Sequence, residues 1–174
     1  MPTAIKGALA LRKSLRAFAP ELAKETQKEI AGFLKPVVRQ ARGFMPSNES
    51  MPSGWLVGNQ KGKWERVAYD QKIAQRGITY KTTPSRANRN GFSALASILN
   101  KSAAGAVYET AGRKSGVQGR FTPKLGGNLV GDGQKMTGRA IFRAYAEDEG
   151  KAKGHILKAI FNSATKLNMR ATRG

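Results

Sequence analysis

The residues able to do chemistry are few. His155 is the single histidine of the 174 residues, and it lies between Lys153 and Lys158. A lone helical histidine is ordinarily a surface or interface residue. No nucleophile motif accompanies it, so a Ser-His-Asp triad has no sequence support. Glu147, Asp148 and Glu149 form an acidic run. Three carboxylates could hold a hard cation. Ahead of a closing helix they more simply occupy its N-terminus, where negative charge is favoured. Glu21, Glu25 and Glu29 recur every four residues, interleaved with Lys24 and Lys28, as in a solvated or partner-facing ion-pair stripe.

Phosphate and metal motifs fail on spacing. The stretch from Gly58 to Lys63 lacks the Walker spacing, and Trp64 stands where that motif needs a hydroxyl. Gly126, Gly127, Gly131 and Gly133 make a glycine-rich stretch without the dinucleotide fingerprint. The chain has no cysteine, which excludes disulfides and thiolate metal sites. Asn48-Glu49-Ser50 and Asn100-Lys101-Ser102 fit the glycosylation pattern, which has meaning only in a secreted chain. The expectation is a non-enzymatic protein with no catalytic residue, metal or cofactor.

The elements that must position any site follow from periodicity. Residues 4–42 read as one long amphipathic helix, with Leu11, Leu15, Phe18, Leu22, Ile30, Phe33, Val37 and Ala41 on its apolar stripe. Pro20 and Pro36 each remove a backbone donor and crowd the preceding turn, so a kink or break is expected there. Residues 43–63, punctuated by Gly and Pro, read as a loop in which Trp55 and Leu56 are an anchor.

Residues 64–146 read as a sheet region. Trp64 to Thr83 turns extended, with Ile78, Tyr80 and Thr82 alternating, and Phe92 to Asn100 and residues 139–146 complete the strands. Within that region Ser102 is a candidate N-cap for a short helix over 103–111, closed by Gly112. Residues 113–138 hold seven Gly and read as a long loop with docking points such as Phe121. Residues 150–169 form a last helix with Ile156, Ile160, Ala164 and Leu167 on one face. The fold class expected is α+β in a single domain spanning 1–174: long N- and C-terminal helices packed on a small antiparallel sheet, with extended Gly-rich loops.

Charge is the dominant compositional signal. The chain has 31 Lys plus Arg against 11 Asp plus Glu, a net charge of +20. Such a surface repels itself and attracts anionic partners. Along the sequence the excess is spread, with no histone-like block, and no zinc finger, ribonucleoprotein motif or helix-turn-helix is visible. Charge alone supports a nonspecific nucleic-acid-binding protein as the alternative reading. No apolar run approaches the length of a membrane span, and the N-terminus lacks the pattern of a signal peptide.

The most specific segment runs from Ser102 to Arg113 and contains Tyr108-Glu109-x-x-Gly112. It follows an apolar stretch ending at Asn100 and precedes a Gly-rich stretch, then residues 138–145, then the closing helix. This order resembles the neck, or head-to-tail connector (tail-completion), proteins of long-tailed bacteriophages, particularly those of actinobacterial hosts. The match is clearest over residues 92–168. Relatives often carry Trp where this chain has Phe142 and Tyr145. The resemblance implies a virion structural protein of the neck, made in the host cytoplasm. It implies a homo-oligomeric, six-fold ring touching other neck and tail proteins, with DNA contact optional and no membrane. Trp55, Leu56, Glu109, Arg113, Arg120 and Phe121 are the interface candidates, with Glu109 and Arg113 forming an ion pair within one chain or across a ring interface.

Overall fold

A computed structural model describes residues 7–51, 55, 68–89, 91, 93–112, 125, 129–131 and 137–172. The fold is α+β. Helices α1 (Ala8–Phe18), α2 (Pro20–Gly43), α3 (Gln71–Gly77), α4 (Ala103–Thr110), α5 (Ile141–Glu147) and α6 (Lys151–Ala171) are joined by two pairs of short strands, one on either side of α4 in the sequence. Strand β1 (Ile78–Lys81) pairs with β2 (Ser97–Asn100), and β3 (Val130–Gly131) pairs antiparallel with β4 (Thr137–Gly138). Among the described residues no helix is long and apolar enough to cross a membrane.

The chain divides into two compact units. Unit 1 is drawn from residues 1–36, 80–97 and 150–174, and unit 2 from 37–79 and 98–149. The division within α2 falls beside Pro36, which lies inside the helix and lacks the donor for one intrahelical bond.

The long N-terminal helix is two helices. Ala19 breaks the run, and Pro20 opens α2, a first-turn position that suits its fixed φ and missing donor. At Pro36 the helix continues. Within α1 the buried face is Ala8, Arg12 and Leu15; Phe18, the last residue of that helix, lies off it and is 81% exposed. Leu15, Ala19, Leu22 and Ala23 form the buried cluster of unit 1, with Leu11 and Leu167 packed against it.

Helix α6 buries Ala152, Ala159 and Ser163. Small residues allow close approach to α2, where the Ser163 and Thr26 hydroxyls meet at 2.6 Å. Lys166 reaches Glu25 at 2.8 Å on the exposed side, and that hydrogen bond pushes the lysine pKa up.

Unit 2 is built around Tyr69, Ala74 and Ile78, with Val37, Val38, Ala41 and Met45 from α2 and the residues after it. The Tyr69 hydroxyl donates to the Pro46 carbonyl at 2.7 Å. Arg42 donates twice to the Ile78 carbonyl, at 3.1 and 2.8 Å.

Parts of two segments expected as extended are helical. In the Trp64–Thr83 stretch, whose residues 64–67 lie outside the described ones, Asp70 accepts from the Ile73 amide at 2.8 Å and starts α3, and the chain is a strand again at β1. Residues 139–146 become the turn into α5 and most of that helix. The physical reason is a cap supplied from far away in sequence, by Glu109. The second strand is shorter than Phe92–Asn100, running from Ser97 only.

Candidate interaction surfaces and the α4–α5 junction

The Ser102–Gly112 segment forms the most tightly specified local structure. The Ser102 hydroxyl accepts from the Gly105 amide at 3.1 Å and so caps α4. Asn100 fixes that cap in turn. Its carbonyl oxygen accepts from the Ser102 amide at 2.9 Å and from the hydroxyl at 2.8 Å. Its amide nitrogen donates to the Ala74 carbonyl at 3.3 Å. A Cβ at Gly105 would overlap the Asn100 side chain and the Ser102 hydroxyl, so only glycine allows this approach. Gly112 follows the helix with φ +83°, the left-handed conformation that ends many helices.

Glu109 is the centre of the junction. It is buried, at 4% exposure. One carboxylate oxygen accepts from the Ala140 and Ile141 amides at 2.8 and 3.2 Å, and the other from the Phe142 amide at 3.1 Å. Those are N–H groups at the start of α5, a position with no acceptor within the helix itself. Gly138 makes room for it, since a Cβ there would overlap the Glu109 carboxylate and the Phe142 ring.

Arg139 does the converse at the other helix end. Its guanidinium donates to the Tyr108 and Ala111 carbonyls at 2.9 and 2.6 Å, closing the C-terminus of α4. It also lies 5.8 Å from the centre of the Tyr108 ring. Burial lowers the Arg139 pKa, against the opposing influence of Tyr108 and Glu109. Burial raises the Tyr108 pKa, with Arg139 acting in the opposite direction and Glu109 adding to it. An anion at a helix N-terminus and a cation at a C-terminus both follow the helix dipole. With both oxygens of Glu109 accepting from backbone donors, the junction braces α4 against α5.

Of the interface candidates, Trp55 and Glu109 are interior residues of unit 2. Trp55 is 4% exposed and its ring lies 5.1 Å from that of Tyr69. Neither therefore offers surface to a neighbour in this conformation. The Glu109 oxygens cap α5, and the expected ion pair with Arg113 falls on a residue outside the described ones. Leu56, Arg113, Arg120 and Phe121 lie outside the described residues.

His155 is exposed on α6 with its ring 4.7 Å from that of Phe33. Among the described residues no cluster of His, Asp or Glu could hold a metal ion. In the acidic run, Glu147 pairs with Arg143 at 2.9 Å and accepts from Gln40 at 2.6 Å. The run precedes α6, whose N-cap is Gly150.

What sequence reasoning missed is the charge of unit 1. Among the described residues it carries 14 basic and 3 acidic side chains, and all three carboxylates are on α2. The excess goes unnoticed along the sequence because three separated stretches contribute to it. Beside it, α1 and α6 border an open apolar groove of about 600 Å³ lined by Ala8, Leu11, Leu157, Ile160, Phe161 and Ala164, with Lys158 at its edge.

Arg12 is buried on α1, with one terminal nitrogen donating to the Thr82 carbonyl. Its Nε and other terminal nitrogen have no partner among the described residues. Desolvation, and secondarily Arg16, lower its pKa.

No family model, curated protein or solved structure matches the chain.

Proposed function

We propose that the chain is a structural subunit of the head-to-tail joint of a long-tailed bacteriophage, assembling with its own copies into a ring, of six-fold order, between the DNA-filled capsid and the tail. The observation that carries this reading is the Tyr108-Glu109-x-x-Gly112 segment in its order of elements. Each of its named residues has a defined structural role. Tyr108 is buried, Glu109 caps α5 and Gly112 turns the chain with positive φ. A motif spent on bracing two helices suits a protein whose work is to hold shape under load. Its neighbours would be other neck and tail proteins, and its place the neck of the virion.

Electron microscopy of purified virions, with the protein located by a specific antibody, tests the proposal. The expected result is a symmetric ring at the neck. Purified particles without the protein would overturn it.

One observation favours a second reading. The cationic excess of unit 1 suits nonspecific binding of nucleic acid. A gel-shift titration across salt decides: binding should weaken with a log–log slope of about −0.9 per phosphate neutralised on duplex DNA. Absence of binding at physiological salt removes this reading.

A further inference from the structure

Helices α1 and α6 carry eight cationic side chains, Arg12, Lys13 and Arg16 on one and Lys151, Lys153, Lys158, Lys166 and Arg170 on the other, and no carboxylate. Between them lies the open groove lined by Leu11, Leu157, Ile160 and Phe161. Phe161 is 72% exposed at this groove. A single exposed aromatic is ordinary, but Phe161 is continuous with the apolar lining of the groove, and a contiguous apolar surface marks an interaction site. Leu157, Ile160, Phe161 and Ala164 recur at three- and four-residue spacing, the ridge pattern on which another helix packs.

The charge selects the kind of body. The same face of a second copy would bring its own cations against these and be repelled. A phosphate backbone would satisfy the cations but leave Phe161 and the leucine side chains without an apolar partner. A segment that offers carboxylates beside an apolar stripe satisfies both. We propose that the α1–α6 groove docks an acidic amphipathic helix of a different protein, its apolar stripe on Phe161 and Leu157 and its carboxylates toward Lys158 and the neighbouring cations. This is the helix-in-groove mode of recognition. The proposal uses unit 1 alone and stands whether or not the protein forms a ring.

Fluorescence anisotropy on the full chain tests it with synthetic labelled peptides of about 18 residues, five helical turns. The first has Leu at i, i+3, i+4 and i+7 and Glu on the remaining face. The second replaces every Leu by Ser, and the third every Glu by Lys. The first should bind about tenfold or more tightly than either other, as expected when an aromatic anchor is buried.

Phe161→Ala and Lys158→Glu should each weaken the first peptide about tenfold, while Lys72→Glu in unit 2 leaves it within about twofold. Circular dichroism checks that every variant is folded. Since Phe161 and Lys158 are exposed, their replacement leaves the fold intact. Equal binding of the Leu and Ser peptides, or binding indifferent to Phe161→Ala, would overturn the proposal. So would preference for duplex DNA or anionic vesicles that is lost in the same two variants.

Discussion

Replacing Glu109 tests the account of the α4–α5 junction most severely. In Glu109→Ala three backbone donors at the start of α5 lose their acceptor in a buried setting. A buried donor left unpaired costs about 1–3 kcal/mol, and the lost interaction of a carboxylate with the helix dipole adds about 0.3–2 kcal/mol. Fraying of the first turn of α5 recovers part of this by letting water reach the amides. We therefore expect a loss of about 3–5 kcal/mol, a large share of the roughly 5–15 kcal/mol that holds a domain folded. Glu109→Gln should cost only about 1–2 kcal/mol. Its single carbonyl oxygen can keep the Ala140 and Ile141 bonds, while its amide group faces the Phe142 N–H. Urea denaturation followed by circular dichroism gives the stabilities, and hydrogen exchange at Ala140, Ile141 and Phe142 locates the loss. Gly138→Ala supplies the coupling: its Cβ collides with the Glu109 carboxylate, so the double variant with Glu109→Ala should cost less than the sum of the two. A Glu109→Ala protein within about 0.5 kcal/mol of the parent, with those three amides still protected, would refute the reasoning.

Other substitutions and pH test separate features. Gly105→Ala should destabilise by about 1–3 kcal/mol because the new methyl displaces Asn100 and the Ser102 cap, and thermal melting should show part of that cost relieved in an Asn100→Ala background. Arg12→Met should raise stability by about 1–2 kcal/mol in urea denaturation, since removing two unpartnered buried donors outweighs one lost bond to Thr82; destabilisation beyond about 1 kcal/mol contradicts that account. Burial raises the pKa of Tyr69, helped by Tyr108 and Asp70, and that of Tyr108. The folded state then keeps these protons where the unfolded chain, with phenols near 10, releases them, so stability is level below about pH 10 and falls above it. An absorbance titration at 295 nm should show the two phenols ionising together with the loss of near-ultraviolet circular dichroism.

The parts of the fold legible in the sequence are those decided locally. Ser102 announces α4, and Gly112 its end, because a cap and a left-handed turn need only neighbouring residues. Leu15, Leu22, Ile30, Val37 and Ala41 announce the buried face of the N-terminal helices through their spacing, and all five are buried. The failures occur where distant residues decide. Residues 139–146 resemble a strand because nothing near them caps a helix; the cap is Glu109, about thirty residues upstream. Phe18 resembles a core residue by its spacing from Leu11 and Leu15, yet the face that α1 buries is centred on Ala8, Arg12 and Leu15, and Phe18 at the helix end falls outside it. Trp55 has the character of an anchor for a neighbour, yet Tyr69 in the same unit covers it. An aromatic in a Gly-rich stretch signals that it needs burial, and the sequence does not say by whose surface.

Charge shows the same dependence on folding, and it bears on function. Spread over the sequence, the cations argue against any dedicated binding element. Folding gathers 14 of them, among the described residues, onto a unit whose carboxylates all lie on α2. Exposed cations so placed contribute little stability, since surface ion pairs are worth at most about 1 kcal/mol, and their mutual repulsion opposes the compact state. The α4–α5 junction contrasts with them: there each buried charge is spent on a helix end of its own unit. Charge used to brace meets backbone groups at a helix end, as Glu109 and the Arg139 terminal nitrogen do. On α6, Lys158 stands beside the exposed Phe161 at the edge of the groove, and the proposed partner would bring carboxylates to it.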